Sequence, residues 1–468
     1  MSRSPRLRRS IAVTTPTPTV PLARIGSEAP ELVIPAPVPL TLVREHAPAI
    51  SRALWMPVVG SALLVAASFF PQPLLTDSLS GRVAAGAALK ISLAYRALAP
   101  LCDTLDTISL FSQRQHAAFL ITCLLAFVVW RVLRKRSAVP LRKSVRREIS
   151  AACIAIVSLI AVYVVGAMVP RPIGHLAMSS VDDVVVDFHS HTRYSWDGRA
   201  AFSPEQSRRW HHASGFDVAY VTDHSTFAGA EEAALDNPAH AGDATVMLSG
   251  IEVRSHGNHL VVLGTDAADW RSYKAGDLQD QIFQRESAAR GSARPVVLFT
   301  LPGNLKPAST MSFDGIELSD AAPRGLSQTD AQSGTIGELA RDKNASLIAS
   351  SNNHGWASAS PAWSVMQIHG WRSMTPAQLD IAIRREILSG GLTAVRVIDR
   401  RTPGPVSFPG VALTVPDAAW RMLTTMSWSE RASWLVWIWL AYVLSTAVRT
   451  RAKRPGTVEE PRAWRKAS

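Results

Sequence analysis

Residues 184–192 read Val-Val-Val-Asp-Phe-His-Ser-His-Thr, an apolar run that ends in an aspartate and two histidines. A run of β-branched residues bounded by polar groups is typical of a buried strand, and the polar cluster is then expected at its C-terminal tip. Alternate residues of an extended segment point the same way, so His189 and His191 could present both imidazoles to one metal ion. Metal binding needs more ligands than these two.

Further candidate ligands stand beside other short apolar runs downstream. Asp223 with His224, Glu252, and Asn352 with His354 each follow a run, and His259 opens one. Polar residues at successive strand ends are typical of a β/α barrel whose active site lies at the C-terminal face. The strand-like runs lie near 183–188, 216–222, 245–251, 259–264, 295–300, 313–318, 346–350 and 392–397. They alternate with helical stretches, which predicts an α/β architecture.

These motifs resemble the PHP (polymerase and histidinol phosphatase) domain family over about residues 182–397. The matching residues are His-x-His-Thr, Asp197-Gly198, Thr-Asp-His, Gly-Ile-Glu and a late His-Gly, in this order. The resemblance implies a distorted β/α barrel that holds two or three metal ions and commonly hydrolyses phosphoesters. It implies metal ligands at His189, His191, His224, Glu252, His259 and His354. Glu252 would be the bridging carboxylate, and Asp197 a ligand or a partner of one.

The chain departs from the family pattern at two positions. The family usually has a His-Pro pair where this chain has Leu301-Pro302, and leucine cannot ligate a metal. The family's late Asp-x-His is replaced by Asn352-Asn353-His354, and an amide oxygen is a weaker ligand than a carboxylate. We therefore expect two metal ions, with the third site weakened or absent. A mixed set of imidazoles and carboxylates suits Zn, Mn or Fe.

Other polar residues near the motifs have two interpretations each. Asp187 and Asp223 are expected to accept the second ring proton of ligating histidines, although a hydrogen bond inside the barrel is the alternative. His256 could replace the missing middle ligand or be an exposed loop residue. Candidate phosphate-binding cations are Arg193, Arg254 and Lys306. His211 and His212, which neighbour two arginines, are expected on a solvated helix face.

The charge of the chain is unevenly distributed. The net charge of +12 would suit nucleic acid or membrane, but residues 182–400 hold 19 Lys and Arg against 26 Asp and Glu. The barrel region is therefore acidic, which argues against nucleic-acid binding as a main role. The three cysteines, Cys102, Cys123 and Cys153, lie outside this region. Zinc–thiolate sites and disulfides are thereby excluded from it.

Four apolar segments suggest a membrane anchor. Residues 53–70, 117–133, 149–169 and 432–448 are long enough, or nearly so, to cross the hydrocarbon layer, and buried core helices are the alternative. Residues 83–101 are expected to form an interfacial or re-entrant helix. Arg- and Pro-containing residues 1–52 are expected to be a disordered tail, residues 401–431 a linker and residues 449–468 a basic tail.

Lys and Arg residues predict the orientation. Residues 131–148 hold eight of them and the tail from Arg449 holds seven, against four in residues 76–116. Under the positive-inside rule, both termini and the 131–148 loop are cytoplasmic and the barrel lies on the other side. The expected protein is thus integral to the inner membrane, with a periplasmic or other extracytoplasmic catalytic domain.

Three functions are compatible with the sequence. The first is a membrane-anchored, two-metal phosphoesterase in which His189, His191, His224, Glu252 and His354 carry the chemistry. Its expected partners are the lipid bilayer and a phosphorylated small-molecule or envelope-derived substrate. The second is a decayed barrel that acts as a sensor or ligand-binding domain. The third is a metal-dependent amidohydrolase, since a metal hydroxide can also attack acyl carbons.

Overall fold

The computed structural model describes residues 47–133, 141–255, 258–267, 294–300, 311–322, 325–327, 330–400 and 410–452. From Leu54 onward the chain clusters into one compact unit. Leu301, Lys306 and His256 lie outside the described residues, as do most of the tail 1–52, part of the linker and the end of the basic tail.

A ten-stranded sheet lies at the centre of the α/β part. The described strands are β1 Leu75–Asp77, β2 Ala87–Lys90, β3 His175–Met178, β4 Asp183–Ser190, β5 Val218–Val221, β6 Val246–Ser255, β7 Asn258–Leu263, β8 Val296–Phe299, β9 Gly315–Ser319, β10 Ser346–Ala349, β11 Ala362–Gln367 and β12 Arg396–Arg400. The sheet order is β1-β12-β11-β4-β5-β6-β7-β8-β9-β10, and β2 pairs with β3 separately. Strands β4–β5–β6 and β8–β9–β10 are parallel, and the other pairings are antiparallel.

The sheet curls until its last strand approaches the first of the parallel strands. Just beyond β10, the Asn352 amide donates to the His189 carbonyl at 2.8 Å, and the His191 amide donates to the Asn353 carbonyl at 3.1 Å. The Ser351 amide donates to the Asp187 carboxylate at 3.0 Å. The expected α/β class is confirmed as a mixed fold with a curled, half-barrel sheet, in which the C-terminal ends of β4 and β10 meet.

Alternation along β4 explains how it occupies the centre. Every residue of β4 is buried. Val184, Val186 and Phe188 pack into one core cluster, whereas Val185 belongs to another on the opposite face. Strands covered on both faces read as continuous apolar runs, which is the pattern that the sequence shows here.

Helices cover the outside of the sheet. The described helices of this part are α6 Pro204–Ser214, α7 Ala228–Leu235, α8 Asp330–Lys343 and α9 Pro376–Gly390. α6 and α9 both begin with a proline after a capping box, formed by Ser203 and by Thr375. α6 ends at Gly215, whose φ of +88° favours glycine and whose backbone touches Leu176.

The chain before residue 182 contributes more to this fold than expected. The expected interfacial or re-entrant helix at 83–101 is wrong as a single helix, because this segment contains strand β2, helix α2 Leu93–Ala97 and the start of α3 Ala99–Ser109. β1 pairs antiparallel with β12 and so forms the edge of the main sheet. Within the expected linker 401–431, a short amphipathic stretch is expected before the last span, and the structure has helix α10 Thr414–Thr425 there, followed by α11 Trp428–Ala452.

In the described part of the chain, three helices are long and apolar enough to cross a membrane. They are Gln113–Leu133, which is α4, Val145–Gly166 within α5 Leu141–Met168, and Trp428–Thr450 within α11. Only 0%, 0% and 6% of the apolar stretch of each helix is buried inside the protein. The alternative of buried core helices therefore does not hold for them. The described apolar part of α1 Ala47–Ser68, Leu54–Ser68, is shorter.

These helices form two antiparallel pairs. Arg131 near the end of α4 pairs with Glu148 near the start of α5 at 2.8 Å. At the other end of this pair, His116 and Tyr163 approach to 3.4 Å. In the second pair, the Arg431 guanidinium at the start of α11 donates to the carbonyl of Leu64 at the end of α1, at 2.8 Å.

Asp106 connects helix α3 to the main sheet. Its carboxylate, on α3, lies 2.7 Å from the Arg171 guanidinium and 3.0 Å from that of Arg400 at the end of β12. The Tyr95 hydroxyl donates to it at 3.1 Å. Asp106 is 1% exposed, so two buried cations share this one anion. Removing one partner of such a group leaves uncompensated charge in the interior.

We predict that Asp106→Ala destabilises the protein by about 3–5 kcal/mol, because Arg171 and Arg400 would lose their anion. The measurement is thermal unfolding of the full-length protein in detergent. Asp243→Ala, which breaks an exposed pair with His240, is the matched control and should change little. Equal unfolding midpoints for the wild type and Asp106→Ala would contradict the prediction.

Candidate metal centre

The carboxylate of Glu252 is surrounded by imidazoles. Its Oε2 atom lies 3.2 Å from Nε2 of His189, 3.2 Å from Nε2 of His191 and 3.1 Å from Nδ1 of His224. Its Oε1 atom lies 2.5 Å from Nδ1 of His259. Glu252 is only 3% exposed, so this set of nitrogen and oxygen donors is largely shielded from water.

The curled sheet brings these residues together from four neighbouring strands. His189 belongs to β4 and His191 follows it, His224 follows β5, and Glu252 belongs to β6. Because β4, β5 and β6 are parallel, their C-terminal ends meet at one edge. β7 runs antiparallel to β6, which explains why His259 reaches the same edge from the start of its strand.

Three of the imidazoles have their Nδ1 atom engaged by an acceptor other than Glu252. Nδ1 of His189 lies 3.2 Å from the Glu317 carboxylate, and Nδ1 of His354 lies 3.0 Å from the Asn352 carbonyl. Nδ1 of His191 lies 2.8 Å from Ser195 Oγ, whose own hydrogen goes to Asp223. In the neutral rings the proton is thus placed on Nδ1, and the lone pair is on Nε2.

These Nε2 lone pairs point into shared space. Nε2 of His189 and Nε2 of His191 are 3.0 Å apart. Nε2 of His354 is buried and makes no hydrogen bond among the described residues, although the Asp197 carboxylate lies 3.2 Å from it. The His354 ring stacks on His191 with a 3.9 Å centroid distance. In the neutral rings, electron-pair donors thus face one another across this space, an arrangement that a cation stabilises, so these residues fit divalent metal ions.

Asp197 lies at the exposed side of the cluster. Its carboxylate is 3.2 Å from Nε2 of His354 and 3.5 Å from Nε2 of His224, and its side chain is about a third exposed. The loop that carries it packs against the loop after β10, because the Arg199 amide donates to the His354 carbonyl at 2.9 Å. Asp197 could therefore complete a metal site from the solvent side.

Among the residues that the structure describes, three groups of donors are compact enough to hold a cation. They are His191–His224–His354, His189–His191–Glu252 and His224–Glu252–His259, each with its donor atoms within 4.8 Å of one another. The last two groups share Glu252. One carboxylate common to two donor groups is the arrangement that a bridged pair of cations requires.

Burial and charge shift the pKa values of the central residues. Burial alone would lower the pKa of His189, but the carboxylates of Glu252 and Glu317 reverse the shift and hold that pKa well above its ordinary value. Burial lowers the pKa of His191 well below the ordinary value. Burial would raise the pKa of Glu252, but the effect of His189 and the other imidazoles is larger and holds that pKa below its ordinary value. Glu252 is therefore ionised.

Glu317 and Asp320 also belong to this site, although the sequence analysis did not single them out. Glu317 is fully buried beside His189. Burial, together with the charge of Glu317, raises the pKa of Asp320 to about 7. A sequence signal for Glu317 does exist, because residues 315–317 repeat the Gly-Ile-Glu of residues 250–252.

Asp187 does not hold a candidate ligand ring. Its carboxylate lies 2.8 Å from Nε2 of His211 and accepts the backbone amides of His189 and Ser351. The expected contact with a ligating imidazole is therefore wrong, and the alternative of a hydrogen bond inside the barrel holds. His211 itself is fully buried, contrary to the expected solvated face, whereas His212 is exposed.

Asp223 acts on His191 only through a hydroxyl. Its carboxylate accepts the backbone amide and the hydroxyl of Thr192, both at 2.7 Å, and the hydroxyl of Ser195 at 3.1 Å. The expected direct bond to a ring nitrogen is replaced by the chain Asp223–Ser195–His191. A Cβ at Gly229 would lie 1.9 Å from this carboxylate, so glycine is needed there.

Asn352 adopts a left-handed backbone conformation with a φ of +43°. Its side-chain NH₂ donates to Asp320 at 3.1 Å. Its Oδ1 atom is buried without a hydrogen-bond partner among the described residues. This amide oxygen remains available to a cation or to a bound molecule.

Of the two described candidate phosphate-binding cations, one lies beside the centre. The Arg254 side chain is exposed, and its Nε donates to Nε2 of His259 at 3.2 Å. Arg193 is paired with Glu232 at 3.0 Å. Arg254 is thus the better candidate for contact with an anionic substrate.

Comparisons with known proteins gave only remote similarities. No family model and no curated protein sequence match the chain. Among solved structures, PsfC from Pseudomonas syringae PB-5123 matches at 15% identity and a TM-score of 0.33, over 52% of this chain and 98% of its own. A two-domain protein from Bacteroides vulgatus contains a predicted PHP-like metal-dependent phosphoesterase. It matches at 14% identity and a TM-score of 0.30, over 46% of this chain and 64% of its own. The lesion-specific endonuclease EndoQ from Pyrococcus furiosus matches at 14% identity and a TM-score of 0.29, over 45% of this chain and 56% of its own. Similarity at this level does not transfer a function to the chain.

We predict that Glu317→Gln weakens metal binding about 10- to 100-fold, because His189 would lose the anion that holds its Nδ1 proton. The measurement is a chelator competition on the full-length protein with zinc or manganese. Glu338→Gln, on the outer helix α8, is the control and should bind metal like the wild type. Unchanged affinity in Glu317→Gln, with an unchanged unfolding midpoint, would contradict the role assigned to Glu317.

Proposed function

We propose that this chain is a membrane-anchored, metal-dependent hydrolase of the PHP type that acts on phosphoesters. The observation that carries the proposal is the pair of donor groups that share Glu252. The donor set of imidazoles and carboxylates favours Zn, Mn or Fe. The ligands we propose are His189, His191, His224, Glu252, His259 and His354, with Asp197 and Asn352 at the margin.

Two such ions, when bound, would supply a hydroxide nucleophile at neutral pH and neutralise charge on the phosphoryl oxygens. The chain's own residues do the rest. Glu317, Ser195 and the Asn352 carbonyl orient three rings so that each Nε2 faces the centre. Arg254, at the edge of the site, is placed to bind a phosphate oxygen, which favours a phosphoester over a neutral amide substrate.

The sheet supports the proposed topology. β1 lies between α1 and α4, whereas its partner β12 follows α5. Strands of one sheet must lie on one side of a membrane. The segments 69–112 and 171–427 are therefore on the same side of the membrane. This is the arrangement that results if α4 and α5, which lie between them, both cross the membrane as an antiparallel pair.

The distribution of Lys and Arg then favours one orientation of the helices in the membrane over the opposite one. The basic stretch 131–148 lies at the end of the α4–α5 pair where Arg131 meets Glu148, away from the end near the sheet. The seven Lys and Arg from Arg449 onward follow the end of α11 remote from Leu64. Under the positive-inside rule, both regions are cytoplasmic and the metal centre is extracytoplasmic.

We predict that His189→Ala and Glu252→Ala each abolish hydrolysis, with a loss of at least about 100-fold. The full-length protein, loaded with Zn, Mn or Fe, is assayed on phosphomonoesters, phosphodiesters and N-acyl amides. His369→Ala, whose ring is 96% exposed beside Asp182, is the matched control. Metal retention without turnover of any phosphoester would contradict the proposal and favour the sensor, and turnover of amides alone would favour the amidohydrolase.

We predict that single cysteines at Ser80 and Leu235 react with a membrane-impermeant maleimide on intact cells, because both positions are exposed in the proposed extracytoplasmic part. A cysteine at Arg449 should react only after permeabilisation. Cys153 is replaced by Ser throughout, since it is exposed. Labelling of position 449 alone in intact cells would invert the topology, and labelling of only one of positions 80 and 235 would contradict the shared side.

A further inference from the structure

A cavity of about 380 Å³ extends from the candidate metal centre to the ends of the membrane helices. Its polar end is formed by Asp197, Asn352 and His354. Its other walls are mainly apolar and come from α3, α4, α5 and the loop after His354. They include Leu105, Ile108, Val162, Tyr163, Gly166 and Trp356. One continuous space therefore joins metal-competent groups to a hydrocarbon-like surface.

The apolar walls lie at the boundary of the candidate membrane spans. Val162, Tyr163 and Gly166 belong to the last turns of the span Val145–Gly166, and His116 belongs to the first turn of Gln113–Leu133. The Ser358 hydroxyl donates to the Gly166 carbonyl at 3.3 Å, which holds the loop after His354 against the end of α5. The cavity thus lies where a bilayer's headgroup region would meet the domain.

The polar end of the cavity offers groups that a headgroup could satisfy. Asn352 Oδ1 is buried without a hydrogen-bond partner among the described residues. His354 Nε2 is buried 3.2 Å from the Asp197 carboxylate without a hydrogen bond among these residues, and all three residues line the cavity. The size of the space is within the range of ordinary ligand sites. Its apolar lining would give a small, fully hydrated phosphoester little to bind, because such a substrate has no apolar surface to bury.

We propose that the substrate is an amphiphilic phosphoester of the membrane, whose hydrocarbon chain lies between α3 and the end of α5 while its phosphate reaches the metal centre. This inference rests on the proposed function and names its substrate class. In the reaction, a water oxygen bonds to phosphorus and the P–O bond to the lipid alcohol breaks. The leaving oxygen takes up a proton, so that the products are a phosphate and a membrane-bound alcohol.

The first test measures binding without turnover. The full-length protein is placed in phosphatidylcholine nanodiscs that contain phosphatidic acid with a diazirine in its acyl chain, and EDTA keeps metal away. Photolysis should label residues 105–109 of α3, which lie outside the candidate spans. Val162→Trp, which fills the cavity, should reduce this labelling about tenfold. Val164→Trp, at a position of the same helix that is exposed like Val162 (49% against 52%) but does not line the cavity, should not.

The second test measures turnover with two substrates. In the metal-loaded wild type, long-chain phosphatidic acid in mixed micelles should be hydrolysed with a kcat/KM about tenfold or more above that of glycerol 3-phosphate. Val162→Trp should remove most of this difference by lowering the kcat/KM for phosphatidic acid, whereas Val164→Trp should leave both activities unchanged. Ile108→Trp, which fills the cavity from α3, is the second variant if Val162→Trp lowers the unfolding midpoint.

The outcomes separate the two proposals. Absent labelling of 105–109 in the wild type, or equal labelling in Val162→Trp and Val164→Trp, overturns the lipid inference even if phosphoesters are hydrolysed. Equal turnover of the two substrates, unaffected by Val162→Trp and Ile108→Trp, overturns it as well. Specific labelling without hydrolysis of either substrate supports a lipid-binding cavity and contradicts the phosphoesterase.

Discussion

The site depends on one buried carboxylate that holds four imidazoles within hydrogen-bond distance. Glu252 can do so only because the sheet curls, so that β4, β5, β6 and β7 deliver side chains to a common edge. Burying this many titratable groups is costly unless their charges and lone pairs are matched. In three of the rings Nδ1 is already hydrogen-bonded to an acceptor. The Nε2 lone pairs of these rings are therefore matched only by a group bound between them.

The parts of the fold that could be predicted from sequence are those encoded locally. The apolar run at 184–188 and the caps at Ser203 and Thr375 each specify their element within a few residues. The candidate ligands follow such runs, and their convergence was expected because parallel strands share an edge. His259 fits the same logic once β7 is known to be antiparallel.

What could not be predicted depends on contacts between distant segments. β1 has only three residues, and nothing local marks it as a partner of β12. The solvated face expected for His211 was suggested by its charged neighbours. Residues 204, 207, 208, 211 and 214 nevertheless have the spacing of one helix face, and the structure buries all five. Glu317 was overlooked because the family resemblance assigns a role to only one Gly-Ile-Glu.

Because β1 comes from the segment between α1 and α4, the α/β part is incomplete without the chain that precedes α5. A protease that cut after α5 and before α11 would release a sheet whose β12 edge had lost its neighbour and whose Arg400 had lost Asp106. Bare sheet edges recruit other chains. Under the proposed topology, release of a soluble form of the α/β part would thus be disfavoured, and the proposed catalytic site would stay at the membrane.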